Sequence, residues 1–262
     1  MSYHHQTVAV IIPAFNEALS IATVVSEIKA LRAPQDATLP LVDNIVVCNN
    51  ASTDATAELA REAGASVFDE FRQGYGFACL RAIDGLQRLD SPLPDIVVFV
   101  DGDHSIDASE LILLIDEIAA GNDLVVGSRV SRMQQEAALG SHQRIGNDIA
   151  SGLIRALWGV PVSDLGPFRA ITYRALKRLS MQDQRFGWTV EMQVKAIQAG
   201  MSYSEVPVSS LKRIGTSKIS GTVRGTIGAA IGIFSTVFKL YFQESRFLAS
   251  LESRATKHKQ SF

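Results

Sequence analysis

Apolar positions along this chain fall into short unbroken runs separated by amphipathic stretches, and the two alternate. Residues 7–12, 45–47, 65–68, 96–100 and 123–126 are mostly β-branched or apolar without polar alternation. Such runs predict strands buried on both faces of a mostly parallel sheet. Between them lie helical patterns. Residues 18–31 carry Leu19, Val24, Val25, Ile28 and Leu31 as apolar positions, residues 55–63 follow the capping group Ser52-Thr53-Asp54 and stop at Gly64, and further helices are expected from Gly74-Tyr75-Gly76 to about Leu89 and over 108–120. This order predicts an α/β fold, a doubly wound, Rossmann-like sheet flanked by helices, with right-handed crossovers.

Beyond residue 127 the pattern is less regular. Residues 130–140 are polar and read as a loop long enough to serve as a lid. Helices are expected over 145–158, 172–180 and 189–199, and a strand over 202–208. Residues 221–242 are apolar and rich in Gly and Ala, but Arg224 and Lys239 leave about 14 uncharged residues between them. That is short of the roughly 20 a spanning helix needs, so an amphipathic C-terminal helix on the sheet or on a membrane surface is expected, with a polar tail to residue 262.

Composition narrows the partners. The 262 residues are 47% hydrophobic, enough to bury a full core, and the net charge of −2 offers no basic field for nucleic acid. Cys48 and Cys79, the only cysteines, read as reduced core thiols, and residues 1–6 lack a signal-peptide core, so a cytoplasmic setting is expected.

Chemistry gathers at the strand ends. Ile96–Val100 runs into Asp101-Gly102-Asp103, where Gly lets the chain turn and both carboxylates face one cation; oxygen-only ligands suggest Mg²⁺ or Mn²⁺ with phosphates completing the shell. An Asp-Gly turn with solvated carboxylates is the plainer reading. Pro13-Ala14-Phe15-Asn16-Glu17 offers an aromatic to stack on a base and a carboxylate for its edge or a ribose, or is simply a strand-to-helix turn. Asn49-Asn50 to Asp54 holds nucleoside polar groups or caps a helix, and Gly74 and Gly76 allow close approach of a phosphate at a helix start.

Taken in order, Ile11-Ile12-Pro13-Ala14-Phe15-Asn16-Glu17, Asn50-Ala51-Ser52-Thr53-Asp54, Gly74-Tyr75-Gly76-Phe77-Ala78, Asp101-Gly102-Asp103, Gly127-Ser128-Arg129, Phe168-Arg169-Ala170-Ile171 and Arg213-Ile214-Gly215-Thr216-Ser217-Lys218 resemble family 2 glycosyltransferases of the GT-A fold. The similarity is greatest to the dolichyl- and polyprenyl-phosphate mannose synthase-like branch. It implies a catalytic domain over 1–220, with a nucleotide-sugar-binding half to residue 127 and an acceptor half from 128. It also implies a UDP- or GDP-sugar donor, a cation at Asp101 and Asp103, inversion at the anomeric carbon and a polyprenyl phosphate acceptor. A soluble or glycan hydroxyl acceptor, a sugar-phosphate nucleotidyltransferase and a non-catalytic nucleotide-sugar-binding subunit are the alternatives.

The resemblance places Pro13, Phe15, Glu17, Asn50, Asp54, Gly74, Gly76, Asp101, Gly102 and Asp103 around the donor. Arg129, Arg213 and Lys218 are candidates to neutralise the leaving diphosphate, or are surface cations. Glu191 is a candidate base or acceptor-positioning group, or half of an i,i+4 ion pair with Lys195. Arg169 is either functional or ion-paired to Asp164. The chain departs from the family in three places. Asn49-Asn50 replaces paired acids, His104-Ser105 follows the second Asp where Gln is common two residues on, and Leu165-Gly166-Pro167 precedes Phe168-Arg169. His104 is open as a ligand or a supporting residue.

Overall fold

The computed structural model describes residues 6–129, 141–215, 228 and 230–244. In the main sheet β1 (Val8–Ala14) is parallel to β4 (Asn44–Asn50) on one side and to β6 (Ile96–Phe99) on the other. β5 (Ser66–Glu70) extends the β4 edge in parallel, and β7 (Leu124–Ser128) pairs in parallel with β9 (Tyr203–Pro207). The order is β5-β4-β1-β6-β8-β7-β9, in which β8 (Arg169–Thr172) runs antiparallel to both β6 and β7.

The unbroken apolar runs are explained by two helical layers. Side chains alternate across a strand, so Val8, Val10 and Ile12 join one core cluster, with α1 (Ile21–Ala30), α2 (Thr56–Glu62) and α4 (Leu111–Ala119). Ala9 and Ile11 join the other, with α3 (Tyr75–Leu86), α6 (Tyr173–Leu179) and α7 (Trp188–Gln198). β6 divides the same way, Ile96 and Val98 against Val97 and Phe99. Each such buried Val or Ile contributes roughly 1.5–3 kcal/mol, so neither face of the central strands tolerates a polar residue. A third cluster joins α5 (Ser141–Trp158), α7 and a helix α8 over residues 230–244, through Ala150, Ile154, Val190, Val194, Val237 and Leu240.

Two elements were not anticipated. β8 is four residues long and opens on a buried Arg, which leaves too short an apolar signal. The hairpin of β2 (Arg32–Ala33) and β3 (Asp36–Pro40) is largely exposed and shows no strand period. The helix expected from residue 18 begins at Ile21, because residues 17–20 form a turn in which Ser20 and Ile21 amides donate to the Glu17 carbonyl. The helix expected over 108–120 divides into a 3-10 turn, Ala108–Glu110, capped by the Asp107 carboxylate accepting from the Ser109 amide, and α4. Cys48 and Cys79 are buried free thiols, and burial pushes Cys48 up to about 12. The expected lid over 130–140 and Lys218 lie outside the described residues.

Candidate active site

The carboxyl ends of β4, β1 and β6 open into one cavity of about 350 Å³. Pro13, Phe15 and Glu17 line it from the β1 loop, Asn50 from β4, Gly74 from the start of α3, and Asp101, Gly102 and Asp103 from the β6 loop. Arg213 closes it from the segment after β9. β1 separates β4 from β6, so the cavity spans about two strand intervals, roughly 10 Å. Three residues with left-handed backbone mark these loops: Asn16 after β1, Ala51 after β4 and His104 after β6, with φ of 54°, 56° and 60°. Backbone of this kind is held only where surrounding contacts over-determine it.

Those contacts are visible. The Asn16 amide donates to Ser52 Oγ at 3.0 Å, the Glu17 amide to Thr56 Oγ1 at 2.8 Å and the Ala18 amide to Asp54 Oδ2 at 3.2 Å. Asp54 also accepts from the Thr56 amide at 3.1 Å, so its carboxylate ties the β1 loop to α2 and does not line the cavity. Asn50 is committed in the same way. Its Nδ2 donates to the carbonyls of Arg72 at 2.7 Å and Glu70 at 3.3 Å, and its Oδ1 accepts from the Gly74 amide at 2.8 Å. The side chain therefore shapes the 70–74 wall. Asn49 donates to Asp69 at 2.8 Å and leaves its buried Oδ1 without a partner.

Asp103 is 4% exposed and Asp101 lies beside it. Burial, and then the charge of Asp103, push the Asp101 carboxyl up to about 7, while Arg213 and Arg129 pull the other way. Arg213 meets Asp103 Oδ2 at 2.6 Å, and Asp103 Oδ1 accepts from the Ser105 amide at 3.0 Å. The Arg213 segment is laced along this loop. The Ser209 amide donates to Glu110 at 2.8 Å, that of Leu211 to the Ser105 carbonyl at 2.9 Å and that of Ile214 to the Asp103 carbonyl at 3.0 Å. His104 turns away, with Nε2 3.0 Å from the Glu27 carboxylate on α1. The two aspartates fit a hard divalent ion, being oxygen donors under mutual repulsion in a half-closed cavity. No cluster of three His, Cys, Asp or Glu suited to a metal occurs among the described residues, so other oxygens would complete its shell.

Three expected site residues, Gly76, Arg129 and Glu191, lie outside the cavity lining. Gly76 lies outside the cavity lining, and the first α3 amides are not free for a phosphate, because Gly76 and Phe77 donate to the carbonyls of Arg185 and Gln184 at 3.2 and 3.0 Å. Gly is required there for close approach: a Cβ on Gly76 would lie 2.1 Å from the Asp183 carbonyl oxygen. Arg129 is held by Asp164 through Nε at 2.9 Å and Nη2 at 2.8 Å, with its amide at 2.9 Å, and this partner holds the Asp164 carboxyl below the usual range against its burial. Arg169 acts on Asp164 through charge, helping to hold that carboxyl down, while its hydrogen bonds go elsewhere. It is fully buried and donates to the carbonyls of Thr189, Leu165 and Gly166. Glu191 forms the i,i+4 pair with Lys195 at 2.8 Å and accepts from the amides of Gln182 and Asp183, away from the cavity lining.

Ala14, Gln73, Tyr75, Ala78, Arg185 and Phe186 complete the lining and were not singled out as ligand-facing. Tyr75 and Ala78 lie within the recognised segment Gly74-Tyr75-Gly76-Phe77-Ala78, and Gln73 immediately precedes it. Arg185 and Phe186 follow α6 in an irregular loop with no motif to mark them, and only the chain's path brings that loop over α3.

A mostly parallel sheet whose strand ends gather paired carboxylates, an arginine and an aromatic rim in one cleft defines a glycosyltransferase of the GT-A type. The chain belongs to the family described as "Glycosyl transferase family 2", whose model matches residues 9–180. An uncharacterised glycosyltransferase of Mycobacterium tuberculosis (strain ATCC 25618 / H37Rv) is 34% identical over 235 residues, 88% of this chain and 97% of the relative. A dolichyl-phosphate hexose transferase of Haloferax volcanii is 27% identical over 246 residues, 92% of this chain and 97% of the relative. Among solved structures, glucosyl-3-phosphoglycerate synthase from Mycobacterium tuberculosis, in complex with Mn²⁺, UDP and phosphoglyceric acid, superposes with a TM-score of 0.70 at 20% identity, covering 90% of this chain and 79% of that one.

Proposed function

We propose that this glycosyltransferase moves a sugar, with inversion, from a UDP- or GDP-sugar to a polyprenyl phosphate, using Mg²⁺ or Mn²⁺ at Asp101 and Asp103. The observation that carries the reading is the single cavity in which Phe15, Glu17 and the Asn50-shaped wall meet Asp101, Asp103 and Arg213. Its span of two strand intervals suits a nucleoside end over β1 and β4 and a diphosphate end over β6. The metal-bearing synthase structure, which shares this fold, supports the ion. A divalent ion there would neutralise charge on the departing nucleoside diphosphate. Arg213, already 2.6 Å from Asp103, stands where it can exchange that carboxylate for a phosphate oxygen.

An acceptor that brings its own ionised oxygen suits the carboxylates placed around the cavity among the described residues. A sugar hydroxyl needs a base to take its proton, whereas a phosphate monoester is already largely ionised near neutral pH, its second pKa being about 6. Glu191 is spent on the 182–183 backbone and Lys195, and the carboxylates that do line the cavity are Glu17 and the aspartate pair. An acceptor that arrives ionised is favoured, and the dolichyl-phosphate hexose transferase relative points the same way. The outer face of α8, with Ile231, Phe238 and Phe242 exposed at 63, 45 and 58%, supplies a peripheral contact for a membrane-borne substrate. No helix among the described residues is long and apolar enough to cross a membrane.

The test is calorimetric titration of UDP and GDP with Mn²⁺, then with chelator, on the unaltered chain and on Asp101→Asn and Asp103→Asn. Binding of one nucleotide that needs the ion and falls at least tenfold in both variants is expected, together with transfer of the matching sugar to polyprenyl phosphate. Unchanged affinity in both variants, or transfer to a glycan hydroxyl alone, would overturn the assignment.

A further inference from the structure

The loop of residues 181–187, between α6 and α7, forms a wall of the cavity through Arg185 and Phe186, yet its anchors lie elsewhere. Asp183 is the joint. One carboxylate oxygen accepts from the Arg185 amide at 2.8 Å, and the other accepts from Thr236 Oγ1 of α8 at 3.1 Å. The far side of the loop reaches α3, where the Arg185 and Gln184 carbonyls accept from the Gly76 and Phe77 amides at 3.2 and 3.0 Å. Thr236 is buried, and a Cβ on Gly187 would fall 2.1 Å from its hydroxyl and 2.3 Å from the Asp183 carboxylate, so this junction is packed to contact. Phe186 is seated beside the same helix: a Cβ on Gly232 would come 3.2 Å from its Cβ, and one on Gly228 would come 3.8 Å from its ring.

We propose that Thr236 is a positioning residue for the donor cavity, acting through Asp183 to hold Arg185 and Phe186 against the start of α3. The C-terminal helix then forms part of the donor site while touching no ligand. The coupling has a physical carrier, one carboxylate shared between a helix hydroxyl and the backbone of a cavity residue, which is the kind of contiguous network that transmits a shift between packed elements. The role assigned to the cavity rests on the nucleotide-sugar reading above; the coupling itself does not.

The experiment uses the full chain with Thr236→Val, which keeps the shape and removes the donor, and Thr236→Ser, which restores it. Amide hydrogen exchange without ligand should rise about three- to tenfold at Gly76 and Phe77 in Thr236→Val, the factor expected from one weakened hydrogen bond. It should return to the unaltered rate in Thr236→Ser. Mn²⁺–UDP or Mn²⁺–GDP affinity should fall by a similar factor in Thr236→Val, and this loss should vanish in an Arg185→Ala background, as a coupled pair requires. Should Thr236→Val fold poorly, Gly232→Ala, which crowds Phe186, is expected to give the same local exchange signature. Unchanged exchange at the two amides, or a rise shared equally by β1 and β6, overturns the coupling. A chain that shows the exchange change but binds neither nucleotide overturns the donor reading and leaves the coupling standing.

Discussion

At the scale of single residues, the cations near the cavity have distinct tasks that depend on their partners. Arg213 meets a carboxylate that also faces the proposed ion site, so its pairing is exchangeable. Arg129 is locked by a partner only 2% exposed. Removing one member of a buried pair leaves the other charge uncompensated, a cost of about 3–5 kcal/mol. Asp164→Asn should therefore destabilise the protein by roughly 3 kcal/mol near pH 7. The pH dependence has a definite sign. The folded Asp164 pKa lies below its ordinary value of 3.8, so its contribution is complete above that value and is lost as pH falls through the folded pKa. Urea titrations of both proteins should show a gap that is flat above about pH 5 and narrows below pH 4; a gap independent of pH would show that shape, and not charge, is what Asp164 contributes. Arg129→Lys should recover little, since an ammonium cannot reproduce the bidentate geometry.

At the scale of elements, the same residue type has opposite consequences depending on what crosses it. Gly76 at the start of α3 faces a backbone carbonyl that a Cβ would meet at 2.1 Å, whereas Gly152 inside α5 has nothing within 4 Å. Gly76→Ala should cost at least about 2 kcal/mol and loosen the cavity wall, because backbone cannot swing aside as a side-chain tip can. Gly152→Ala should add about 0.5–1 kcal/mol through helix propensity. Thermal melts of the two variants check both signs, and a neutral Gly76→Ala would show that the 181–187 loop is free to withdraw. The contrast also explains how far the sequence could be read. Long-lived patterns, the apolar runs of β1, β4 and β6 and the helical spacing of α1 and α3, announced a doubly wound sheet and the strand ends where Asp101, Asp103, Phe15 and Glu17 gather. β8 was illegible because a four-residue strand that opens on Arg169 has too few apolar positions to show a period. Arg185 and Phe186 were illegible for a different reason: their place in the lining comes from contacts across about a hundred residues of chain, between the 181–187 loop and α3, which no local pattern encodes. Asp54 and Asn50 were expected as site residues by position, but their side chains are spent on backbone amides and carbonyls, a distinction visible only once the loops are in place.

At the scale of the whole molecule, α8 is the element through which we propose that the protein meets a membrane. Val237 and Leu240 face the core cluster shared with α5 and α7, and Gln198 and Trp158 both bond to Glu244 on the same side, at 2.9 and 2.7 Å. The helix is thus anchored to the domain by one face while Ile231, Phe238 and Phe242, spaced seven and four residues apart, form a stripe on the other. Burying three such side chains in an interface is worth about 1.5–3 kcal/mol each before the cost of association. That is marginal, reversible binding, comparable to what a single acyl chain provides. The triple variant Ile231→Ser, Phe238→Ser, Phe242→Ser should leave the melting temperature and Mn²⁺–nucleotide affinity close to those of the unaltered chain, because none of the three belongs to the buried cluster. In flotation with phosphatidylcholine–phosphatidylglycerol vesicles, the unaltered chain should partition to lipid and the variant should remain in solution. Transfer to a long-chain polyprenyl phosphate held in those vesicles should fall with it, while transfer to a short, water-soluble analogue should persist. Equal flotation of the two proteins would remove the membrane role from this face. Equal loss toward both acceptors would place the defect in the catalytic cavity, where the wall carried by Asp183 and Thr236 is the structural route for it.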